Sequence, residues 1–202
     1  PAGAVTGVDI NEGMLAVARQ KAPHLTWRPA PAESLPFDDA TFDRVVSQFG
    51  LMFFVDPPRA LAEMMRVLRP GGTLAVAVWD TLEMTPGYAQ LATLLDELFG
   101  SEAAQSLHAP YVLGDKQTLV SLFAEAAVPD PTIQTMSGTA RFPSLEAWMY
   151  TDIRGWTLAG MIDDEGFERL QRAAQERLSH FVRADGSVEF DAPAHIVTAI
   201  KP

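Results

Sequence analysis

The sequence predicts an α/β fold on a mostly parallel sheet, and three observations carry that prediction. Short apolar runs alternate with helical patterns through the first half of the chain. Residues 73–79 are almost wholly apolar, as strands covered on both faces are. Proline and glycine punctuate the ends of elements, most clearly at Pro70-Gly71-Gly72.

The elements follow in order. Residues 4–10 read as a buried strand. Asn11 offers an N-cap, and Met14, Leu15, Ala18 and Ala22 share one helical face until Pro23 stops the helix. Residues 25–28 form a second strand and run into the proline-broken loop Pro29-Ala30-Pro31-Ala32-Glu33. Residues 42–47 form a third, with Val45 and Val46 as its β-branched centre. Asp56 caps the next helix, Pro57 suits its first turn, and Leu61, Met64, Met65 and Leu68 recur at helical spacing. Beyond the strand 73–79, Tyr88, Leu91, Leu95, Leu98 and Phe99 mark a helix, and Asp115 caps another. Residues 132–142 read as one strand, Ser144 opens a helix with Trp148 and Met149, and a longer helix carries Phe167 to Phe181. A turn at Arg183-Ala184-Asp185-Gly186 leads to the last strand, within residues 187–200.

Composition narrows the function. At 202 residues the chain fits one domain, or one domain with a cap. It is 48% hydrophobic and 20% charged, which excludes wholesale disorder. Its net charge of −11 repels phosphate backbones and anionic lipid, so no nucleic-acid partner is expected. The absence of cysteine excludes disulfides, thiolate metal sites and cysteine nucleophiles, and suits a reducing, cytoplasmic setting. No apolar run is long enough for a membrane span, and Pro1-Ala2-Gly3-Ala4 lacks the pattern of a signal peptide.

One constellation carries chemistry. Asp9 ends a strand, where open α/β sheets bind ligands, and its carboxylate can accept both hydroxyl protons of a ribose; capping the following helix is the equally weighted alternative. Three further stretches follow in order: Pro31-Ala32-Glu33-Ser34-Leu35-Pro36-Phe37, Phe42-Asp43-Arg44-Val45-Val46-Ser47, and Arg66-Val67-Leu68-Arg69-Pro70-Gly71-Gly72-Thr73-Leu74. With these the chain resembles the class I S-adenosylmethionine-dependent methyltransferases, especially the small-molecule group that includes the ubiquinone and menaquinone biosynthesis enzymes. The likeness is clear from about Val5 to Trp79 and looser beyond.

The resemblance implies a Rossmann-like methyltransferase sheet, mostly parallel with its last strand antiparallel, helices on both faces and a helical cap. It implies cofactor binding in residues 1–80, mainly cap helices and one strand in 81–183, and a C-terminal strand in 184–202, all in one domain. It implies S-adenosylmethionine as cofactor, with S-adenosylhomocysteine as product, and a small, rather apolar acceptor. By the same likeness Asp9 holds the ribose hydroxyls, Ile10 and Met14 pack on the adenine, and the Ala32 N–H reads an adenine ring nitrogen with Glu33 beside it. Ser47 and Gln48 line the methionine part, and Phe49 walls the reaction site. The Arg-Val-Leu-Arg-Pro-Gly-Gly stretch is a hallmark with a structural role.

Two departures stand out. Relatives often carry an acidic residue where Pro31 stands, and proline offers neither a side-chain acceptor nor an N–H. The family's glycine-rich motif, acidic-x-Gly-x-Gly-x-Gly, should precede Asp9 by about twenty residues, yet only residues 1–8 do so. The missing strand would be the sheet's first and central one, between those ending at Asp9 and Ser47. We therefore expect a piece of a longer chain, or a gap filled by another segment or chain; a non-catalytic, methyltransferase-like binding module is the alternative.

The remaining polar and aromatic residues have plainer readings. His24, His108, His180 and His195 show no metal-site spacing, and no metal is expected. His108 is noted for its nearness in sequence to Tyr111. Trp79, Tyr88, Tyr111, Trp148 and Trp156 read as core first and as pocket lining second. Asp163-Asp164-Glu165 reads as the acidic first turn of a helix rather than a metal cluster. No general base is identified.

Overall fold

The computed structural model describes residues 3–155 and 157–202, so the reading of Trp156 lies outside it. Two compact units emerge, each drawn from several stretches of chain. The first comprises Pro1–Val76, Leu119–Thr132 and Val197–Pro202; the second comprises Ala77–Thr118 and Ile133–Ile196.

Strand β1, Thr6–Asp9, pairs in parallel with β2, Thr26–Pro29, through helix α1, Glu12–Lys21. The Asn11 side chain accepts from the Met14 N–H and caps α1, as its sequence position predicts. Strand β1 is half-buried rather than buried, because its ladder runs to β2 on one edge only. Strand β3, Phe42–Gln48, begins a separate four-stranded sheet. Among the described residues no strand joins β1 to β3, and Val46 at the centre of β3 is 69% exposed.

Helix α2, Pro57–Val67, starts at Asp56, whose carboxylate accepts from the Arg59 N–H. The chain passes directly into strand β4, Leu68–Trp79. Leu68, expected on the helix, is thus in the strand. Pro70 explains the early stop: it disfavours helical geometry at Arg69 and has no N–H to give to the Arg66 carbonyl. The stranded helix carbonyls find other donors. The Ala40 and Thr41 N–H groups reach the Arg66 and Val67 oxygens at 3.1 and 2.8 Å. Lys201 Nζ donates to the Arg66 and Leu68 oxygens at 3.0 and 2.7 Å. Gly71 takes φ +78°, the left-handed conformation that glycine supplies without strain. Along β4, buried Leu74, Val76 and Val78 alternate with half-buried neighbours, so both faces are covered.

Helices α3, Pro86–Phe99, α4, Ser101–His108, and α5, Lys116–Glu125, come next. Asp115 accepts from the Thr118 N–H at the start of α5. The expected strand 132–142 is two strands, β5, Thr132–Met136, and β6, Thr139–Phe142. They separate because they serve different sheets: β5 neighbours the last strand, whereas β6 pairs antiparallel with β7, Val188–Asp191. Between them lie α6, Leu145–Met149, capped by Ser144, a π-helical turn, Tyr150–Arg154, and α7, Asp164–Arg177, capped by Asp163. The acidic start of α7 is the helix cap its sequence suggests.

Strand β8, Ala194–Ile200, completes the order β3-β4-β8-β5. Hydrogen bonds joining Gly71 and Gly72 to Lys201, and Asp80 to Pro193, run it antiparallel to β4. The sheet is mostly parallel with an antiparallel last strand, the class expected. In the first unit Leu15, Leu61, Val67, Leu119, Phe123 and Val197 are fully or almost fully buried. In the second, Leu91, Leu95, Leu107, Trp148, Leu170 and Phe190 share one core.

Candidate functional site

All eight cofactor-site residues expected from sequence fall in the first unit. Asp9 is the last residue of β1. Its Oδ1 accepts from the Asn11 N–H at 2.8 Å, which orients the carboxylate at the strand end. The helix cap belongs to Asn11, so capping α1 does not account for Asp9. Beside it Ile10 and Met14 are 74% and 59% exposed. A carboxylate flanked by two exposed apolar side chains matches a ligand with a polyhydroxyl part and a flat apolar part.

The second group lies on the loop after β2. Asp9 is the register partner of Pro29, and its carbonyl accepts from the Ala30 N–H at 3.1 Å, so this loop leaves the sheet beside Asp9. Ala32 and Glu33 are half-buried there. Glu33 has a structural duty: its Oε1 accepts from the Val55 and Asp56 N–H groups at 2.9 and 3.2 Å. Its main-chain oxygen also accepts from Arg59 Nε. The carboxylate thereby ties the loop to the entry of α2.

Sequence reasoning passed over the residues that hold this loop. Arg66 makes a bidentate pair with Glu63, at 2.7 and 2.8 Å. It also donates to the Leu35 and Phe37 carbonyls and to Asp39. Glu63 in turn accepts from the Leu35 N–H at 2.9 Å. The Arg66 guanidinium holds the nearly buried Glu63 carboxyl below the usual range, against the opposing effect of burial. The signal was present as an i,i+3 Glu–Arg pair whose Arg66 opens the hallmark stretch.

The third group closes β3. Ser47 is buried and Gln48 exposed. Phe49 adopts φ +54°, a conformation uncommon for a bulky residue and concentrated at functional sites. The structure therefore brings Asp9, Ile10 and Met14 together and sets the Ala32–Glu33 loop beside them. It places Ser47 and Gln48 at the end of a strand of the other sheet and Phe49 just beyond it, with no hydrogen bond from β3 to β1 among the described residues. His108 ends α4 on the surface.

Comparison with known proteins accords with this geometry. Residues 1–76 match the family described as a methyltransferase domain. Over 150 residues the chain is 36% identical to the demethylmenaquinone methyltransferase of Staphylococcus epidermidis, covering 67% of this chain and 62% of that one. Over 172 residues it is 33% identical to the ubiquinone/menaquinone biosynthesis C-methyltransferase UbiE of Pectobacterium atrosepticum, covering 82% and 57%. In fold it is similar to the solved protein BH2331 of Bacillus halodurans, with TM-score 0.63, 20% identity, and coverage of 99% and 84%. The matches support a place among the class I S-adenosylmethionine-dependent methyltransferases. Within them its similarity runs to the UbiE and demethylmenaquinone methyltransferase group. It spans between about a third and three-fifths of the length of the curated relatives it matches first, 34% and 62% of two of them. Among the described residues no helix is long and apolar enough to cross a membrane.

Proposed function

We propose that this chain carries the cofactor-binding and acceptor-binding parts of an S-adenosylmethionine-dependent methyltransferase acting on a small, apolar acceptor. The observation that carries the reading is the oriented Asp9 carboxylate at the end of β1, flanked by exposed Ile10 and Met14. These residues fit the cofactor: the carboxylate for two ribose hydroxyls, the apolar pair for adenine. Ala32 offers its N–H on the neighbouring loop, with Glu33 fixing that loop. Ser47, Gln48 and Phe49 are proposed for the methionine part.

The cofactor supplies an activated sulfonium methyl. The protein's share is alignment and exclusion of water rather than covalent chemistry. The relatives' names speak of C-methylation in quinone biosynthesis. We accordingly assign the acceptor to apolar ring compounds of that kind, methylated at carbon in the cytoplasm.

Calorimetric titration with S-adenosylhomocysteine tests the reading. Micromolar binding is expected for the protein. Asp9→Ala should weaken it by roughly 10- to 150-fold, the loss of charge-assisted hydrogen bonds of about 1.5–3 kcal/mol. A folded protein that binds no S-adenosylhomocysteine would mean a fragment without activity or a non-catalytic binding module, and unchanged affinity in the variant would remove Asp9 from the site.

A further inference from the structure

The proposed cofactor site has two halves, and they sit on separate sheets of the first unit. Asp9, Met14 and Ala32 belong to β1, α1 and the loop after β2, whereas Ser47 lies at the end of β3 and Phe49 just beyond it. No ladder joins the two sheets among the described residues. The Glu33 carboxylate spans them. Glu33 follows Ala32, and its Oε1 accepts from the Val55 and Asp56 N–H groups at 2.9 and 3.2 Å, while its carbonyl oxygen accepts from Arg59 Nε at 3.2 Å. These bonds link residues 22 to 26 apart in sequence. Pro57 and Pro58 have no N–H, so the donors at the mouth of α2 are the amides of Val55, Asp56 and Arg59. The Asp56 carboxylate takes that of Arg59 at 3.0 Å, and Glu33 takes the other two. A carboxylate in this place also faces the positive end of the helix.

From Val55 the chain leads directly back to the other half. It runs through Phe54 and the 3₁₀ turn Leu51–Phe53 to Phe49, whose φ is +54°. A Cβ built on Gly50 would stand 3.5 Å from both the Ser47 Oγ and the Phe54 ring, so the segment folds back on the end of β3. Leu51 is fully buried and anchors the near end of the segment. Val55 is 97% exposed, so its side chain gives the far end no hold. The far end is held through its amides, on Glu33.

We infer that Glu33 is a positioning residue that couples the two halves of the site: it aligns the Phe49–Phe54 segment with the methionine part of the cofactor according to where the Ala32 loop stands on the adenine. Its own contact with the cofactor is not needed for this. A ligand that fixes the Ala32 loop fixes the acceptor of the Val55 and Asp56 amides. The reverse holds too, since a coupling between two binding sites is reciprocal. The inference rests on the methyl-transfer reading and goes beyond it, because it gives Glu33 a part in joining the subsites rather than in reading the adenine.

Calorimetric titration with two probes separates this coupling from a plain structural role. Adenosine fills the adenine and ribose half alone, and S-adenosylhomocysteine fills both halves. Glu33→Ala should weaken S-adenosylhomocysteine at least fivefold more than it weakens adenosine, because the amino-acid half loses its alignment as well. Glu33→Gln, which keeps an acceptor and loses the charge, should show a smaller split of the same sign. Asp9→Ala removes a partner of the ribose that both probes carry, so it should weaken the two equally. Circular dichroism verifies the fold of each variant; if Glu33→Ala does not fold, Glu33→Gln decides. Equal losses for the two probes in the Glu33 variants, a larger loss for adenosine, or no loss for either would each overturn the inference. So would a wild type that binds S-adenosylhomocysteine and not adenosine. All of these leave the methyl-transfer reading standing. A wild type that binds neither probe sinks that reading, and the coupling with it.

Discussion

Two buried polar residues of the second unit behave in opposite ways. His195 is fully buried but well met: Nε2 donates to the Gly114 carbonyl at 2.8 Å and lies 3.2 Å from Asp80, and Nδ1 is 3.0 Å from the Thr135 hydroxyl. Gly114 can approach this closely because it lacks a side chain. A Cβ there would come within 2.4 Å of the Asp80–Thr81 peptide. Gly114→Ala should therefore destabilise by about 3 kcal/mol, the upper end of overpacking costs, in a urea melt. Asp152 Oδ2 lacks such a partner, and burial pushes the carboxyl up to about 6 against the opposing pull of Tyr88 and Trp148. Its native form binds a proton more tightly than the unfolded chain does. Its burden is absent below the ordinary aspartate pKa, grows as pH rises through the raised value, and is complete above about 6. Asp152→Asn should thus be the more stable protein at pH 7.5, by about 3 kcal/mol for a shift of roughly two units, with the advantage shrinking toward pH 4. Paired melts across that range would show it; a pH-independent difference would refute it.

At the scale of elements, the joint between α2 and β4 organises the loop beside Asp9. Arg66 pairs with Glu63, takes two loop carbonyls and reaches Asp39. Arg66→Met would strand the nearly buried Glu63 and release the loop at Leu35 and Phe37. We expect a loss of about 3 kcal/mol and weaker S-adenosylhomocysteine binding. The depressed Glu63 carboxyl contributes stability above its ordinary pKa and loses it as pH falls through the lowered value, so the variant should shed part of the acid sensitivity. Much of this scale was legible in the sequence. The helices beginning at Asn11, Asp56, Asp115, Ser144 and Asp163 all have their caps, because a cap is a local event of three or four residues. Boundaries set by distant partners were not legible. Residues 132–142 split because β6 turns to β7, far along the chain. The same holds for the sites. Asp9 was visible from its place at a strand end, whereas Glu63 and Arg66 gain their part only through Leu35 and Phe37, 28 to 31 residues earlier.

For the whole molecule, pattern indicated the class of fold, and hydrogen bonding shows where the sheet is interrupted. Strands β1 and β3 each pair on one edge among the described residues, and Val46 stands exposed on β3. Unpaired edges with exposed apolar side chains are templates for association. The 202-residue polypeptide should show a concentration-dependent mass in analytical ultracentrifugation, and Val46→Lys, a charge on that edge, should reduce it. A strictly monomeric wild type at all concentrations would contradict this.

The position of β8 bears on the order of events at the ribosome. The last of these strands to be made lies between β4 and β5, and Lys201 binds the end of a helix made some 130 residues earlier. Such long-range closure is slow, since a large loop must be ordered before its contacts reward it. Until residue 201 leaves the exit tunnel, β4 and β5 each wait with an open edge and the Leu68 carbonyl waits for its Lys201 donor. A nascent chain paused even a few residues short would stay vulnerable to proteases and dependent on chaperones, and the sheet forms from its flanks inward, with its interior strand arriving last.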